Sequence, residues 1–212
     1  MKTRNAWLVA GGAVLVWLGW RLGSRRRQMP CPAWLAWILE NPLTEAFAGA
    51  AVTLDRVGLR PGERGLDVGC GPGRITLPAA QRVGPAGKIV SLDVQPAMLA
   101  RLRARLAETG LDNVIPLDAD IAAADVLPDE QFDRAWLVTV LGEIPDRPAA
   151  LRSIYRLLRP GGVLSITEIF PDPHYQRRAT VLRLGRAAGF APAEHWGPAL
   201  AFTQNFIRPA AS

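Results

Sequence analysis

Histidine and cysteine are scarce in this 212-residue chain, with two of each. Cys31 and Cys70 lie far apart and without metal-ligand spacing, so neither a disulfide framework nor a zinc site is expected. With His174 and His195 as the only histidines, no metal cluster is expected and reduced cytosolic thiols are the plain reading. Charged residues are 21% and hydrophobic ones 49%, which excludes global disorder and allows one core of ordinary size. Internal repeats and low-complexity tracts are absent, as is an Asn/Asp-Pro-Pro-Tyr-type base-flipping motif. Nucleic acid is therefore not an expected partner despite a net charge of +6. A basic balance also suits an anionic membrane surface, so the placement of charge decides.

What is present begins with one long apolar run, Ala6 to Trp20. Extended by Arg21-Leu22, it makes a helix of about 17 residues that spans roughly 25 Å, slightly short of a ~30 Å hydrocarbon core. Trp7, Trp17 and Trp20 sit towards its ends, where aromatic rings favour the interface, and Arg21 can snorkel. A cleaved signal peptide would need a small-x-small site, but Gly23-Ser24 runs straight into Arg25-Arg26-Arg27. A buried core helix is disfavoured by apolar residues all round at the terminus. The expectation is a single-pass membrane anchor over residues 1–29. Arg21 and Arg25–Arg27 outnumber Lys2 and Arg4, which places the body on the cytoplasmic side. Residues 30–60 follow as an amphipathic helical linker. There Trp34, Leu35, Trp37, Ile38 and Leu39 suit packing on the body or an interfacial helix at the bilayer.

From residue 61 onward, strand-length apolar runs alternate with helical patterns. Gly65–Val68, Lys88–Asp93, Asn113–Leu117, Phe132–Thr139 and Val163–Glu168 read as strands. Pro96 opens a helix whose stripe is Met98, Leu99, Leu102 and Leu106, and Gly110 ends it. Asp146 caps another, buried along Leu151, Ile154, Leu157 and Leu158 and stopped by Pro160-Gly161-Gly162. Strands separated by helices imply parallel pairing and right-handed crossovers, hence an α/β doubly wound sheet.

Ligands bind such sheets at the carboxyl ends of strands, where strand order reverses. There the chain reads Leu66-Asp67-Val68-Gly69-Cys70-Gly71-Pro72-Gly73. Glycines let the backbone turn tightly and approach a ligand. Their Gly-x-Gly-x-Gly spacing departs from the dinucleotide fingerprint. Asp67, two residues before the first glycine, suits a cationic ligand better than a pyrophosphate. The next strand ends at Asp93, where a carboxylate can accept both hydroxyls of a ribose.

These residues resemble the class I S-adenosylmethionine-dependent methyltransferases over roughly residues 42–209, nearest to the ubiquinone/menaquinone-biosynthesis-like group. The resemblance implies a Rossmann-like, mostly parallel seven-stranded sheet with a C-terminal antiparallel strand pair. It implies that Asp67, Gly69, Cys70, Gly71 and Gly73 bracket the methionine end of S-adenosylmethionine. Asp93 would meet the ribose, Val94 the adenine, and Asp120 with Ile121 the adenine amino group, in preference to Asp118. Val138 falls at the strand end facing the methionine part, and Leu158-Arg159-Pro160-Gly161-Gly162 is a further hallmark. Gly142-Glu143-Ile144-Pro145-Asp146 departs from the group's usual residues.

The sulfonium already activates its methyl group, so alignment and water exclusion are the protein's main tasks, and no metal is called for. A phenol or enol acceptor would profit from a general base. Glu143 and His174 are the catalytic candidates, with Glu168 and the stretch from Pro171 to Tyr175 beside them. Anchor, tryptophan-rich second segment and small body together suggest an apolar acceptor, a quinone or lipid. The alternatives are an NAD(P)-dependent oxidoreductase and a non-catalytic, membrane-tethered cofactor-binding module.

Overall fold

A computed structural model describes Gly23 and residues 48–123, 127–129 and 131–210. The expected anchor and the tryptophan-rich segment lie outside the described residues. Among the described ones, no helix is long and apolar enough to cross a membrane.

The elements are α1 (Ala50–Val57), β1 (Arg64–Val68), α2 (Thr76–Val83), β2 (Lys88–Asp93), α3 (Pro96–Thr109) and β3 (Val114–Asp118). After a 3-10 turn at Ile121–Ala123 come β4 (Phe132–Val138), α4 (Arg147–Leu157), β5 (Leu158–Ile169), α5 (Arg178–Ala187), β6 (Ala191–Trp196) and β7 (Ala201–Ile207). The sheet has seven strands in the order β3-β2-β1-β4-β5-β7-β6. β1 to β5 run parallel, while β7 pairs antiparallel with β5 and with β6. The expected mostly parallel sheet with its antiparallel end is thus what forms.

Helices cover both faces, so the inner strands are apolar almost continuously. Alternation along each strand sorts the residues. Leu66, Val68, Val90 and Leu92 face α4 and α5, joining Leu151, Ile154, Val181 and Leu184 in one core. Ile89 and Trp136 face the other way, against Leu54 and Val57 of α1 and Ala79, Ala80 and Val83 of α2. The α3 stripe Leu99, Leu102 and Leu106 closes that side around Cys70. Asp146 caps α4 as expected, accepting from the Ala149 N–H at 2.8 Å.

One boundary differs from expectation. Pro160-Gly161-Gly162 does not separate α4 from β5, because β5 already starts at Leu158, paired with Phe132. The cause is remote in sequence. Arg208 brings its guanidinium to the carbonyls of Tyr155 (3.0 Å), Arg156 (3.1 Å) and Leu158, satisfying the helix end that glycine would otherwise serve.

Gly185 lets α5 lie close on β7: a Cβ there would stand 2.4 Å from Phe206 Cε1. Phe206 is fully buried, so the ring has little room to retreat. Gly185→Ala is expected to lower stability by about 1–3 kcal/mol in chemical denaturation. Adding Phe206→Leu should recover part of that loss.

Candidate functional site

Strand order reverses between β1 and β4, and the turn after β1 is built there. The N–H groups of Gly69 and Cys70 both donate to Leu92 O, at 2.8 and 3.0 Å. This hooks the loop onto the end of β2. Gly69 adopts φ +72°, and a Cβ on it would lie 2.5 Å from Val140 Cγ2. Gly71, at φ +54°, has open space where its Cβ would be. Its N–H donates to Asp93 Oδ2 at 2.8 Å, while Asp93 Oδ1 accepts from the Gln95 N–H at 2.9 Å. One carboxylate therefore holds both the glycine loop and the start of α3.

A cavity of about 380 Å³ opens above these strand ends. Gly69, Gly71, Asp93 and Val94 form its wall at β1 and β2. Asp120 and Ile121 close the side after β3, and Val138, Glu143 and His174 line the opposite end. Asp118, by contrast, is absent from the wall. Asp120 Oδ1 accepts from the Ala122 N–H at 2.8 Å and so shapes the 3-10 turn that presents Ile121.

Three expected site residues are set back from that wall. Asp67 shares its strand parity with the α2 side, and its Oδ2 accepts from Thr76 Oγ1 at 2.7 Å, with Ser91 Oγ next in the chain at 3.3 Å. Cys70 turns into the α3 cluster, and burial pushes its thiol up. Gly73 is a packing position, its absent Cβ making room for Leu102 and Leu77.

Other lining residues carried no distinct signal in the sequence. Val140 and Met98 belong to the wall, although Met98 reads simply as part of a buried stripe. Thr139 has φ +58°, the single non-glycine residue with positive φ among the described ones. For a β-branched side chain that conformation is strained by about 1–3 kcal/mol. Its N–H is held by Thr167 O at 2.8 Å and its Oγ1 donates to Val138 O at 2.7 Å.

Two loops meet at the far end. Arg147 donates through Nε to Leu141 O at 3.0 Å and through Nη2 to Gly142 O at 2.8 Å. Glu168, 1% exposed, accepts the Gln176 N–H at 2.9 Å. Gln176 in turn donates to His174 O at 2.6 Å, and the His174 N–H donates to Asp172 Oδ1 at 2.7 Å. The loops touch where Gly142 packs on His174, since a Cβ there would be 1.9 Å from His174 O. Burial raises the Glu168 carboxyl well above the usual range, opposed by the Gln176 hydrogen bond and by Arg147.

The cavity wall carries four carboxylates, Asp93, Asp120, Glu143 and Asp172, and no lysine or arginine among the described residues. Such a wall favours a cationic ligand and repels a pyrophosphate. An open glycine cradle beside a paired-donor carboxylate fits a nucleoside with a cationic tail.

Comparison with known proteins agrees with that chemistry. Residues 66–162 match a family described as a methyltransferase domain. The phosphoethanolamine N-methyltransferase 2 of Haemonchus contortus, solved in complex with S-adenosyl-L-methionine, shares the fold, with a TM-score of 0.65 at 17% identity over 76% of this chain and 52% of its own. The nocamycin O-methyltransferase of Saccharothrix syringae is 39% identical over 133 residues, covering 62% of this chain and 47% of that protein. The ubiquinone/menaquinone biosynthesis C-methyltransferase UbiE of Shewanella sp. (strain W3-18-1) is 34% identical over 122 residues, 58% of this chain and 49% of that one. The chain thus spans about half the length of the curated relatives it matches. A SAM-dependent methyltransferase from Aquifex aeolicus has the same fold, with a TM-score of 0.76 at 22% identity over 84% of this chain and 99% of its own. The match to the methyltransferase domain begins in β1 and ends at Gly162, so the loop carrying Asp172 and His174 lies beyond it.

Burial raises the Asp67 carboxyl to about 7, with the Thr76 hydrogen bond opposing the shift. The folded state therefore holds this proton more tightly than the unfolded chain, whose aspartates titrate near ~3.9. Stability from this group is complete below ~4 and is lost as pH rises through about 7. Asp67→Asn keeps an acceptor for Thr76 and should be more stable than wild type at pH 8, by a few kcal/mol at most (about 1.4 per pKa unit). Thermal melts at pH 4 and pH 8 check this: the two proteins should converge at the lower pH.

Proposed function

We propose that the chain is an S-adenosylmethionine-dependent methyltransferase that modifies a small, lipid-soluble acceptor, of quinone or lipid type. The observation that carries the cofactor half is the Asp93 carboxylate fastened to the Gly71 N–H beneath an acid-lined cavity. The bound sulfonium would supply an activated methyl group. Asp93 would accept the ribose hydroxyls, Val94 would lie along the adenine, and Asp120 with Ile121 would meet its amino edge. Gly69, Gly71 and Val138 would let backbone approach the methionine part. Set behind the loop, Asp67, Cys70 and Gly73 would hold it in shape.

At the acceptor end, Glu143 and His174 are the groups able to take a proton from a hydroxyl or enol. The braced loops would keep both in place and help exclude water. Support for a quinone-like acceptor comes from the similarity to UbiE proteins, which are C-methyltransferases of ubiquinone/menaquinone biosynthesis. An O-methyl acceptor is supported in the same measure by the nocamycin enzyme. The oxidoreductase alternative is disfavoured by the acidic wall, which offers a dinucleotide's pyrophosphate no cation.

Calorimetry with S-adenosylhomocysteine and with NADH separates the readings. S-adenosylhomocysteine should bind and NADH should not, and the reverse result would overturn the proposal. Asp93→Ala should weaken S-adenosylhomocysteine about 10–100-fold, the value of hydrogen bonds to a charged acceptor.

We further propose that Ala6–Trp20 anchors the protein in a membrane with the catalytic domain on the cytoplasmic side. The apolar run, its tryptophans and the flanking arginines support this reading. Leu15→Asp should shift the full chain from the membrane to the soluble fraction, because an acid at the centre of a span costs about 2.5–3.5 kcal/mol. Equal fractionation of the two proteins would remove the anchor.

A further inference from the structure

We propose that Thr139 is a positioning residue: its left-handed backbone lays Val140 on Gly69 and so fixes the acceptor side of the cavity to the glycine loop. The cofactor's part in this rests on the methyltransferase reading, whereas the coupling of the two loops does not.

Among the described residues Thr139 alone combines a side chain with positive φ, at +58°. A branched Cβ disfavours this conformation, which glycine or asparagine would adopt at little cost. The surroundings impose it. The Thr139 N–H is taken by Thr167 O at 2.8 Å. Thr167 is itself buried and bonded through Oγ1 to Thr203 Oγ1 at 2.9 Å. The Thr139 hydroxyl turns back on its own backbone, donating to Val138 O at 2.7 Å, so the side chain braces the turn that it strains.

The result appears one residue later. An extended residue at 139 would continue β4; the left-handed one swings the chain aside, and Val140 comes to rest on Gly69. A Cβ on Gly69 would stand 2.5 and 2.6 Å from the two Val140 methyls, so the valine occupies the space that the glycine leaves. On its other side the Gly69 N–H is held by Leu92 O at 2.8 Å. The glycine loop is thus gripped between the end of β2 and Val140. The same valine begins the acceptor-side turn, its carbonyl accepting the Glu143 N–H at 2.9 Å. Val138, Thr139 and Val140 all line the cavity.

One short segment therefore touches the loop that would take the methyl donor and opens the loop that presents Glu143. Methyl transfer needs its two reactants held in line, and a misplacement of about 1 Å can cost ~100-fold in rate. A β-branched side chain with few rotamers, set by a backbone without slack, keeps the two loops at one separation. Glycine at 139 would fit the same conformation without strain, but it would also populate others, and the grip would loosen.

Hydrogen exchange on the full chain, without cofactor, reads the coupling. In Thr139→Gly and in Val140→Ala the amides of residues 69–73 should exchange at least about threefold faster than in wild type, while those of α4 keep their rates. Both changes act through one contact, so the double variant should be at most about twofold faster than the faster single one. Thr139→Asn, which tolerates the left-handed backbone, should stay within about twofold of wild type. The proposal is overturned by unchanged exchange at 69–73, by equal acceleration in α4, by multiplied effects in the double variant, or by a Thr139→Asn that exchanges like Thr139→Gly. Should Thr139→Gly not fold, Val140→Ala and Thr139→Asn decide by the same limits. Calorimetry then tests the cofactor's part: S-adenosylhomocysteine should bind about 3–10-fold more weakly to Thr139→Gly and Val140→Ala than to wild type and Thr139→Asn. Equal affinity throughout overturns the positioning role. A wild-type chain that binds none counts against the methyltransferase reading and leaves the exchange result to decide the coupling.

Discussion

The carboxylate of Asp93 is the group on which the geometry of the site turns. It ends β2 with only 8% of its surface exposed, and burial raises its carboxyl. A buried charge of this kind is costly unless donors surround it. Two backbone N–H groups supply them, from Gly71 and Gln95. The dependence runs both ways. A loop that passes through positive φ at Gly69, Gly71 and Gly73 within five residues has little intrinsic preference for one shape. Hydrogen bonds to a charged acceptor are each about 1.5–3 kcal/mol, enough to fix it. The same acid thus sets the floor of the cavity and the starting point of α3.

The opposite end of the cavity is organised by a different means. There, two loops from neighbouring strands are fastened from behind, one by Arg147 and the other by Glu168. Neither side chain reaches the cavity wall. Attraction to the Arg147 guanidinium opposes the rise that burial imposes on the Glu168 carboxyl, and in a buried region such attraction is less screened than at the surface. Each also satisfies backbone groups of the loop it holds. Strain at Thr139 sits on the same framework and is sustained by bonds to Thr167 and Val138. Rigid loops rather than a rigid helix or strand therefore position Glu143 and His174.

Much of this was visible in the sequence wherever the cause was local. Pro96, Gly110 and Asp146 mark helix ends because their backbone chemistry acts within a few residues, and each does so in the structure. The apolar runs gave the strands, and the spacing of Asp67, the glycines and Asp93 gave the position of the cavity. What escaped was set from afar. The start of β5 depends on Arg208, some fifty residues later. The set-back of Asp67 depends on Thr76 at the start of α2, whose hydroxyl donates to its carboxylate. Thr139 reads as an ordinary strand residue, since nothing in its neighbours announces a positive φ. The acidic end of the cavity required two loops, thirty residues apart, to be pressed together at Gly142.

Charge is divided unevenly in this molecule, and the scale of screening explains how both parts can act. The chain as a whole carries +6, yet the cavity wall is acidic throughout its charged positions. At physiological ionic strength exposed charges are screened beyond ~8 Å, so surface arginines on α3 or α5 do little to the field inside the cleft. Within it, screening is weaker, and four carboxylates dominate what a ligand meets. Outside, the net positive charge governs which surfaces the protein approaches. The whole net positive charge falls in residues 1–29, where six basic residues meet no acid, so attraction to anionic surroundings belongs to that segment and the acidic cavity to the net-neutral remainder. What keeps the cavity acidic is that basic residues stay off its wall, and among the described residues they do.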